Sequence, residues 1–407
     1  MRGPILVVSP WSSLWSLAPG AGVADEAHML SGLVAHGYDV HVLVPRAPKL
    51  LPASPGLSIH TMANVLALPA WLPAPLRRLW LLPAFWSVAG RAATRWARQL
   101  RPRLVLGFSH YGAYPAARAG AAVGAPSLLK LFGVMQAMHL EWPLPRYLYH
   151  NVEAVLAFRQ PLTHFLLLND GTQGDRVARR WGVAEKRFTW LPNGVDKDWA
   201  QLPLERERLR QEHGVAPGTC VLLSLARLVD SKRVDRIVEA VGDAAPLART
   251  PLLLWIAGDG PLRSRLERQC RARRIAHRFL GSVPRSQVPH VLGAADVLVA
   301  ASTLTNMSIP TCEAMVVGTP VIALDVAGTA EVVQDMQNGL LVPEGDPAAL
   351  ARAIARLADD AALRQRLGSA ARDFAARRFM SWDARVAAEI ALIDRLVAAA
   401  PVAGGNP

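Results

Sequence analysis

The chain has 407 residues, of which 51% are hydrophobic and 19% charged. This composition excludes an intrinsically disordered protein, and the length exceeds what one ordinary hydrophobic core organises, so we expect two domains. The formal net charge of +13 indicates anionic partners, yet no zinc-finger spacing, RNA-binding aromatic motif or basic coil accompanies it, so nucleic acid is not expected among them.

The first half alternates short apolar runs with helical stretches, as parallel α/β domains do. The pattern predicts a helix that ends at Gly37 and strands at residues 5–9, 39–45, 104–108, 127–131 and 165–168. The N-terminal apolar run, of about five residues, is too short for a signal peptide. Prolines and an Arg-Arg pair interrupt the apolar stretches 64–75 and 79–90, so no membrane-spanning helix is expected.

Basic residues are concentrated in this first half. Residues 1–200 carry 20 Lys and Arg against 10 Asp and Glu, whereas residues 201–407 carry 25 and 22. Between Asp39 and Glu141 there is no acidic residue, while four tryptophans occur there (Trp71, Trp80, Trp86 and Trp96). A helix would place Arg91, Arg95 and Arg98 on one face.

Arginines beside tryptophans and leucines are typical of proteins that dock on anionic membranes, where each basic residue contributes about 1 kcal/mol. The predicted docking residues are Arg77, Arg78, Trp80, Arg91, Arg95 and Arg98. The alternative is a solvated basic helix face with the tryptophans in the core.

The second half repeats the strand–helix alternation after a Pro-Asn-Gly segment at residues 191–196, where we place the interdomain linker. Predicted strands are 221–225, 252–257, 279–281, 297–300 and 321–323, and predicted helices are 231–241, 262–273, 287–294 and 311–317, with a helical region at 347–400. This spacing predicts a doubly wound parallel sheet. The three isolated cysteines (Cys220, Cys270 and Cys312) have no disulfide or metal spacing, which favours a cytoplasmic setting.

Residues that suit a diphosphate follow the predicted strands of the second half. Arg227 and Lys232 flank a strand-to-helix turn, where both can place cations on an anion. Pro310 suits a first helical turn, whose free N–H groups and dipole make an anion site. Glu313, one turn later, can accept hydrogen bonds from a ribose diol. Each residue alone is more often a helix cap or part of a surface ion pair, but all of them share one sheet edge.

Segments 226–241, 255–267, 279–302 and 309–354 resemble the retaining GT-B glycosyltransferases of family 4, also called glycosyl transferases group 1. Weaker similarity extends through the first half, over roughly 380 residues in all. The resemblance implies two Rossmann-like doubly wound domains facing a cleft. Residues 1–197 would bind the acceptor, residues 198–380 the nucleotide sugar, and residues 381–400 would form a helix crossing back to the first domain.

The resemblance also implies roles for individual residues. Arg227 and Lys232 would hold the donor diphosphate and stabilise it as it leaves, and Glu313 would hold the ribose. Further donor contacts would come from Gly20, Gly22, Gly258, Thr305, Asn306, Met307, Ser308 and Ile309.

Two positions depart from the family pattern. The first glutamate of a Glu-x7-Glu pair is replaced by Thr305, and a histidine expected two residues after Lys130 is replaced by Phe132. His110 is the nearest available imidazole and is a third catalytic candidate, although a partly buried structural histidine is an equal alternative.

Two other motifs are set aside. Asp25-Glu26-Ala27-His28 spells a helicase box, but no phosphate-binding loop accompanies it. Asp196-Lys197-Asp198 spells a metal-binding motif but lies in the linker. We expect no metal and no cofactor, because cations and helix dipoles stabilise the leaving diphosphate in this family.

The sequence therefore predicts a retaining hexosyl-type glycosyltransferase. It would act on a UDP- or GDP-sugar and a glycolipid or polysaccharide acceptor, as a peripheral protein on the inner face of the cytoplasmic membrane. Two alternatives are a catalytically silent homologue that scaffolds a glycosylation complex and a nucleotide-sugar epimerase of the same fold. The sugar, the nucleotide and the acceptor are left open, since specificity depends on a few pocket contacts.

Overall fold

The protein is described from a computed structural model over residues 2–10, 24–45, 55–64, 74–169, 174–302 and 308–400. The chain forms two compact units. The first comprises Met1–Pro192 together with Trp382–Pro407, and the second comprises Asn193–Ser381.

The first unit is built on a parallel sheet. Within the described ranges its strands are β1 (Pro4–Val8), β2 (Asp39–Val44), β3 (Leu57–Thr61), β4 (Leu104–Phe108), β5 (Ser127–Leu131), β6 (His164–Asn169) and β7 (Phe188–Pro192). They pair in the order β3-β2-β1-β4-β5-β6-β7. The order reverses between β1 and β4, as in a doubly wound sheet.

Five helices of the first unit precede the crossing to the second unit in the described part of the chain. They are α1 (Ala24–Ala35), α2 (Ala74–Leu100), α3 (Ala113–Ala121), α4 (Leu144–Phe158) and α5 (Gly174–Arg180). Helices α2 to α5 share one core with one face of the sheet, whereas α1 lies in the core on the opposite face. Helix α2 continues through Pro83.

The second unit contains a six-stranded parallel sheet, counted over its described residues. Its order is β11-β10-β9-β12-β13-β14, with β9 (Cys220–Leu225), β10 (Leu252–Ala257), β11 (His277–Gly281), β12 (Val297–Ala300), β13 (Val321–Asp325) and β14 (Leu340–Pro343). A separate parallel pair joins β8 (Gly194–Val195) to β15 (Met380–Ser381). The prediction of a doubly wound parallel sheet in each half is confirmed.

Helices cover both faces of the second sheet. They are α6 (Arg206–Glu212), α7 (Val234–Ala244), α8 (Arg263–Ala272), α9 (Val288–Ala294), α10 (Ile309–Val317), α11 (Pro347–Asp359) and α12 (Ala361–Arg378). The predicted helix at 231–241 is wrong at its start. A separate 3₁₀ turn spans Asp230–Lys232, and Arg233 with φ of 47° divides it from α7.

The last helix, α13 (Trp382–Ala399), belongs to the first unit and packs on α1. The Trp382 ring stacks on His28 with centroids 4.5 Å apart. A Cβ on Gly32 would stand 2.2 Å from Cγ1 of Val386, so only a glycine lets the two helices approach this closely. Asp394 further accepts a hydrogen bond from the Tyr38 hydroxyl at 2.5 Å.

Candidate functional site

The second unit brings several of the predicted site residues to one edge of its sheet. Strands β9 and β12 are neighbours, and the helices that follow them pack in different cores: α7 on one face and α10 on the other. Arg227 follows β9, and Ser308 precedes α10. When the helices that follow two neighbouring parallel strands lie on opposite faces of the sheet, a crevice opens at the carboxyl ends of those strands. Ligands bind in such crevices.

Gly258 lets two strand-to-helix connections at this edge lie backbone against backbone. Its φ is 132°, and a Cβ there would stand 1.9 Å from the carbonyl oxygen of Ala226. The N–H of Leu228 donates to the carbonyl of Asp259 across the same contact, at 2.9 Å. Glycine is therefore required to seat the loop that carries Arg227.

Arg227 and Lys232 form a pair of cations at this edge. Arg227 is exposed and Lys232 half-buried. Burial lowers the pKa of Lys232, and the positive charge of Arg227 lowers it further. Neither side chain has an ion-pair partner among the described residues. Two adjacent cations without a counter-charge favour an anionic ligand.

The start of α10 adds hydrogen-bond donors to the same edge. Ser308 is the N-cap residue, Ile309 the first helical residue, and the Ser308 side chain makes no capping hydrogen bond. Free backbone N–H groups at such a terminus bind anions. Thr305, Asn306 and Met307 lie outside the described residues, so their donor contacts stay predictions.

A small cavity of about 20 Å³ lies between the ends of β12 and β13 and the start of α10. Its lining includes the hydroxyl-bearing residues Ser302, Ser308, Thr311 and Thr329. The Thr329 hydroxyl is buried without a hydrogen-bond partner in the described structure. A space of this size holds one water molecule, or one polar ligand group that reaches the hydroxyls.

Glu313 is held by a residue that the sequence did not single out. Its side chain is 3% exposed, and Arg285 donates to it through Nη1. The second terminal nitrogen of Arg285, Nη2, donates to Asp196. The guanidinium carbon lies 4.4 Å from the centroid of the Trp199 ring. Burial raises the pKa of Glu313, and Arg285 opposes that rise. Arg285 therefore helps to keep Glu313 ionised.

Arg285 also pairs with the first carboxylate of the Asp196-Lys197-Asp198 motif, which resembles a metal-binding motif. Over the described ranges, no group of three or more His, Cys, Asp or Glu side chains is arranged to hold a metal ion.

In the first unit, His110 lies just beyond the carboxyl end of β4, at the start of a 3₁₀ turn. Burial lowers its pKa to about 4. Its Nε2 is buried without a hydrogen-bond partner in the described structure, and its ring packs edge-on against Phe158. The imidazole is therefore neutral near pH 7 and carries no charge with which to stabilise a phosphate.

Lys130 belongs to a buried ionic cluster in the first unit. Its Nζ lies 2.8 Å from Oδ1 of Asp25 and 2.7 Å from Oε1 of Glu389, and both Lys130 and Glu389 are completely buried. Arg385, also completely buried, pairs with Glu389 at 2.6 Å and donates to the carbonyl of Pro192. This cluster joins α1, β5 and α13 within the first unit.

The predicted docking residues lie along α2. Trp80 is 65% exposed, and Arg91, Arg95 and Arg98 are exposed on the helix. Arg77 and Arg78 belong to the same helix, but their side chains lie outside the described part of the structure. Gly20 and Gly22, which were predicted to contact the donor, also lie outside the described residues. In the described chain no helix is long and apolar enough to cross a membrane.

Two tryptophans of the acid-free region do not join that exposed face. The Trp86 indole N–H donates to the carbonyl of Tyr111 at 3.0 Å, and Trp96 stacks on His60 with centroids 3.7 Å apart. Both are half-buried against the core. The alternative of tryptophans packed in the core is thus correct for these two.

Comparisons with known proteins agree with this architecture. Residues 205–374 match the family model described as glycosyl transferases group 1, and residues 27–199 match the glycosyltransferase family 4 model. A crystal structure of Anabaena Alr3699/HepE, in complex with UDP and glucose, aligns with a TM-score of 0.71 at 19% identity, covering 96% of this chain and 100% of that one.

Curated relatives match over shorter segments. The 2-deoxystreptamine glucosyltransferase of Streptomyces kanamyceticus is 33% identical over 190 residues, covering 46% of this chain and 49% of the relative. The D-inositol 3-phosphate glycosyltransferase of Streptomyces bingchenggensis (strain BCW-1) is 30% identical over 234 residues, covering 55% and 51%. The chain thus spans about half the length of these relatives. The two family matches and the fold show that the chain belongs to the GT-B glycosyltransferases of the group 1 and family 4 type.

Proposed function

We propose that this protein transfers a sugar from a UDP- or GDP-linked donor to a lipid-linked or polysaccharide acceptor, with retention of configuration, at the inner face of the cytoplasmic membrane. The observation that supports this most is the pair of cations, Arg227 and Lys232, which lie at the sheet edge where α10 begins and have no ion-pair partner in the part of the chain that the structure describes. A nucleotide diphosphate supplies the negative charge that these groups lack. The nucleotide sugar is a co-substrate, and the proposal includes no resident cofactor.

The chemistry follows from where the charge develops. As the bond from the anomeric carbon to the diphosphate oxygen breaks, the electron pair goes to the diphosphate. Arg227, Lys232 and the free N–H groups of α10 stabilise that charge. The departing phosphate oxygen accepts the proton of the acceptor hydroxyl, while the acceptor oxygen bonds to the same face of the anomeric carbon. Retention then requires no side-chain nucleophile.

Glu313 is the proposed ribose acceptor. An ionised carboxylate accepts two hydrogen bonds from a vicinal diol, and such bonds are stronger than those to a neutral group. Burial raises the pKa of Glu313, and Arg285 opposes this effect. We infer that Arg285 is a positioning residue that keeps Glu313 charged for the ribose.

The relatives suggest which donor to test first. The HepE structure contains UDP and glucose, and one curated relative is a glucosyltransferase. UDP-glucose is therefore the first donor in the screen, and GDP-sugars are the second.

Membrane docking is proposed from the exposed face of α2. Replacing Arg91, Arg95 and Arg98 by Gln removes about 3 kcal/mol of attraction to anionic headgroups. The triple variant should sediment less with vesicles that contain anionic lipid, and wild type should not sediment with neutral vesicles. Equal binding to neutral and anionic vesicles would refute this part of the proposal.

The transfer reaction is tested with the full chain, a panel of UDP- and GDP-sugars, and lipid and glycan acceptors. Arg227→Ala and Lys232→Ala should each lower kcat/KM by about 10²- to 10³-fold. Arg271→Ala removes an exposed charge in the last turn of α8 and serves as the matched control. NMR of the product reports its anomeric configuration.

Each failure has a distinct meaning. Nucleotide binding without turnover on any donor would indicate a silent scaffold. Conversion of the donor to its epimer would indicate an epimerase. Unchanged kcat/KM in Arg227→Ala would remove the diphosphate assignment, and an inverted product would remove retention.

A further inference from the structure

A second concave feature lies in the first unit, between helices α2 and α3. It is a cavity of about 340 Å³, which we call the α2–α3 pocket. Its lining consists of Pro83, Trp86, Ser87, Arg91, Tyr114 and Arg118. None of these residues has a role in the proposed donor site.

The pocket walls are held by specific contacts. The rings of Trp86 and Tyr114 stack with centroids 5.3 Å apart and an interplanar angle of 21°. A Cβ on Gly90 would stand 2.9 Å from Cε1 of Tyr114, so the glycine lets α3 lie close against α2. The Trp86 indole N–H is anchored on the carbonyl of Tyr111. The rings of Trp86 and Tyr114 form one wall of the pocket. Packing against α2 fixes the Tyr114 ring, and a hydrogen bond fixes the Trp86 ring.

The charge of the pocket is positive and uncompensated. Arg118 donates through Nη1 to the hydroxyl of Tyr114 at 2.7 Å, a neutral partner that orients the guanidinium without cancelling its charge. In the described part of the chain, neither Arg91 nor Arg118 forms an ion pair with a carboxylate. Both helices lie within the sequence between Asp39 and Glu141, which contains no acidic residue.

We propose that the α2–α3 pocket binds the phosphate group of an anionic ligand, with Arg91 and Arg118 as its cationic contacts. Guanidinium groups bind phosphate oxygens through paired hydrogen bonds. The Ser87 hydroxyl lines the same cavity and offers a further donor. Tyr114 acts as a positioning residue for Arg118.

Such a pocket differs from the diffuse attraction of a basic surface. Diffuse attraction depends on the total charge and is reduced equally by removal of any nearby arginine. A pocket depends on which arginine is removed. Arg101 and Arg103 follow α2 and are exposed, but they do not line the cavity and belong to no proposed docking face, so they provide a charge-matched control.

The test is isothermal titration calorimetry of the full chain, carrying Arg227→Ala and Lys232→Ala so that the proposed donor site adds no second phosphate site, against soluble dihexanoyl phosphatidic acid and against inorganic phosphate. We expect saturable binding with one site per chain for at least one probe. The Arg91→Gln/Arg118→Gln variant should bind it at least about tenfold more weakly, since a hydrogen bond to a charged group accounts for about that factor. The Arg101→Gln/Arg103→Gln variant should bind it as the parent protein does.

A conservative variant of Tyr114 distinguishes the orientation of Arg118 from the charge of Arg118. Tyr114→Phe keeps the ring and every charge but removes the hydroxyl that orients Arg118, so we expect about three- to tenfold weaker binding. Circular dichroism and thermal unfolding of each variant check the fold.

The outcomes decide both the pocket and the source of the phosphate. Saturable binding of phosphatidic acid with none of inorganic phosphate supports a lipid headgroup, and comparable binding of both supports a soluble phosphate compound. Equal weakening of both double variants would overturn the pocket in favour of diffuse attraction, as would the absence of saturable binding to either probe. Since no transfer is measured, a failure of the proposed transferase reaction leaves this result intact.

Discussion

Arg285 donates a hydrogen bond to Glu313, whose side chain is 3% exposed. The same guanidinium reaches Asp196 and lies on the ring of Trp199. This relationship places an arginine beside the carboxylate that we assign to the ribose, and it leads to the first prediction.

Arg285→Ala should weaken binding of the donor nucleotide, most strongly at low pH. Burial already raises the pKa of Glu313, and loss of Arg285 raises it further, so more of the carboxyl is protonated at pH 6 than at pH 8. A protonated carboxyl accepts the ribose diol less well, by about tenfold. Calorimetry with UDP at both pH values measures the effect, with Arg271→Ala as control. Tighter binding in Arg285→Ala would mean that Arg285 blocks the ribose.

Lys130→Met should destabilise the first unit by about 3–5 kcal/mol, because it leaves the buried carboxylate of Asp25 without its close cation and that of Glu389 with Arg385 alone. We expect α13 to become sensitive to protease before the rest of the unit. Urea unfolding and limited proteolysis measure both effects. Arg2→Ala is the control, since the side chains of its ion pair with Asp394 are 47% and 34% exposed and such pairs contribute under about 1 kcal/mol. Equal losses in both variants would contradict the assigned role of the cluster.

Glu26→Gln should stabilise the protein at alkaline pH. Burial raises the pKa of Glu26 to about 7, above its ordinary value, so the folded state binds the proton more tightly than the unfolded state. Stability due to this group is present at low pH and is lost as pH rises to about 7, at a cost on the order of 2–3 kcal/mol. Unfolding at pH 5 and pH 8 should show the variant gaining only at pH 8. Glu141→Gln, at a side chain that is 88% exposed, should change neither value, and an unchanged Glu26→Gln would contradict the raised pKa.

Gly258→Ala should reduce nucleotide affinity as well as stability. The new Cβ would stand 1.9 Å from the carbonyl oxygen of Ala226, so the loop carrying Arg227 must move. We expect a loss of about 1–3 kcal/mol in stability and about 10- to 100-fold in affinity, measured by thermal unfolding and calorimetry. Gly345 has no neighbour within 4 Å of a built Cβ, and its alanine variant should behave as wild type. A Gly258→Ala protein that binds nucleotide normally would show that the loop position is unimportant.

The sequence predicted the buried strands of both sheets, because each is a short apolar run bounded by turn residues. It did not predict β3 and β7, which lie at the two edges of the first sheet and are only half-buried, nor β14, at one edge of the second sheet. Edge strands lack the continuous apolar pattern that marks a central strand. The left-handed Arg233 also has no sequence signature, so the start of α7 was misplaced.

Within the site, strand ends could be predicted and side-chain partners could not. The position of Arg227 and Lys232 beyond a strand end was predicted because β9 is easy to recognise in the sequence. Arg285 was missed because it meets Glu313 and Asp196 only through folding, from positions 28 and 89 residues away. The buried ion pairs of Lys130 could not be predicted either, since Asp25 lies 105 residues before it on α1 and Glu389 far beyond it on α13.

The central claim is that the second unit holds a nucleotide diphosphate through Arg227 and Lys232. The most direct measurement compares, by calorimetry, the nucleoside diphosphate that best stabilises the protein with its monophosphate, in wild type and in Arg227→Ala/Lys232→Ala. We expect wild type to bind the diphosphate at least about tenfold more tightly than the monophosphate, and the double variant to lose that preference. A double variant that keeps the wild-type preference would contradict the claim.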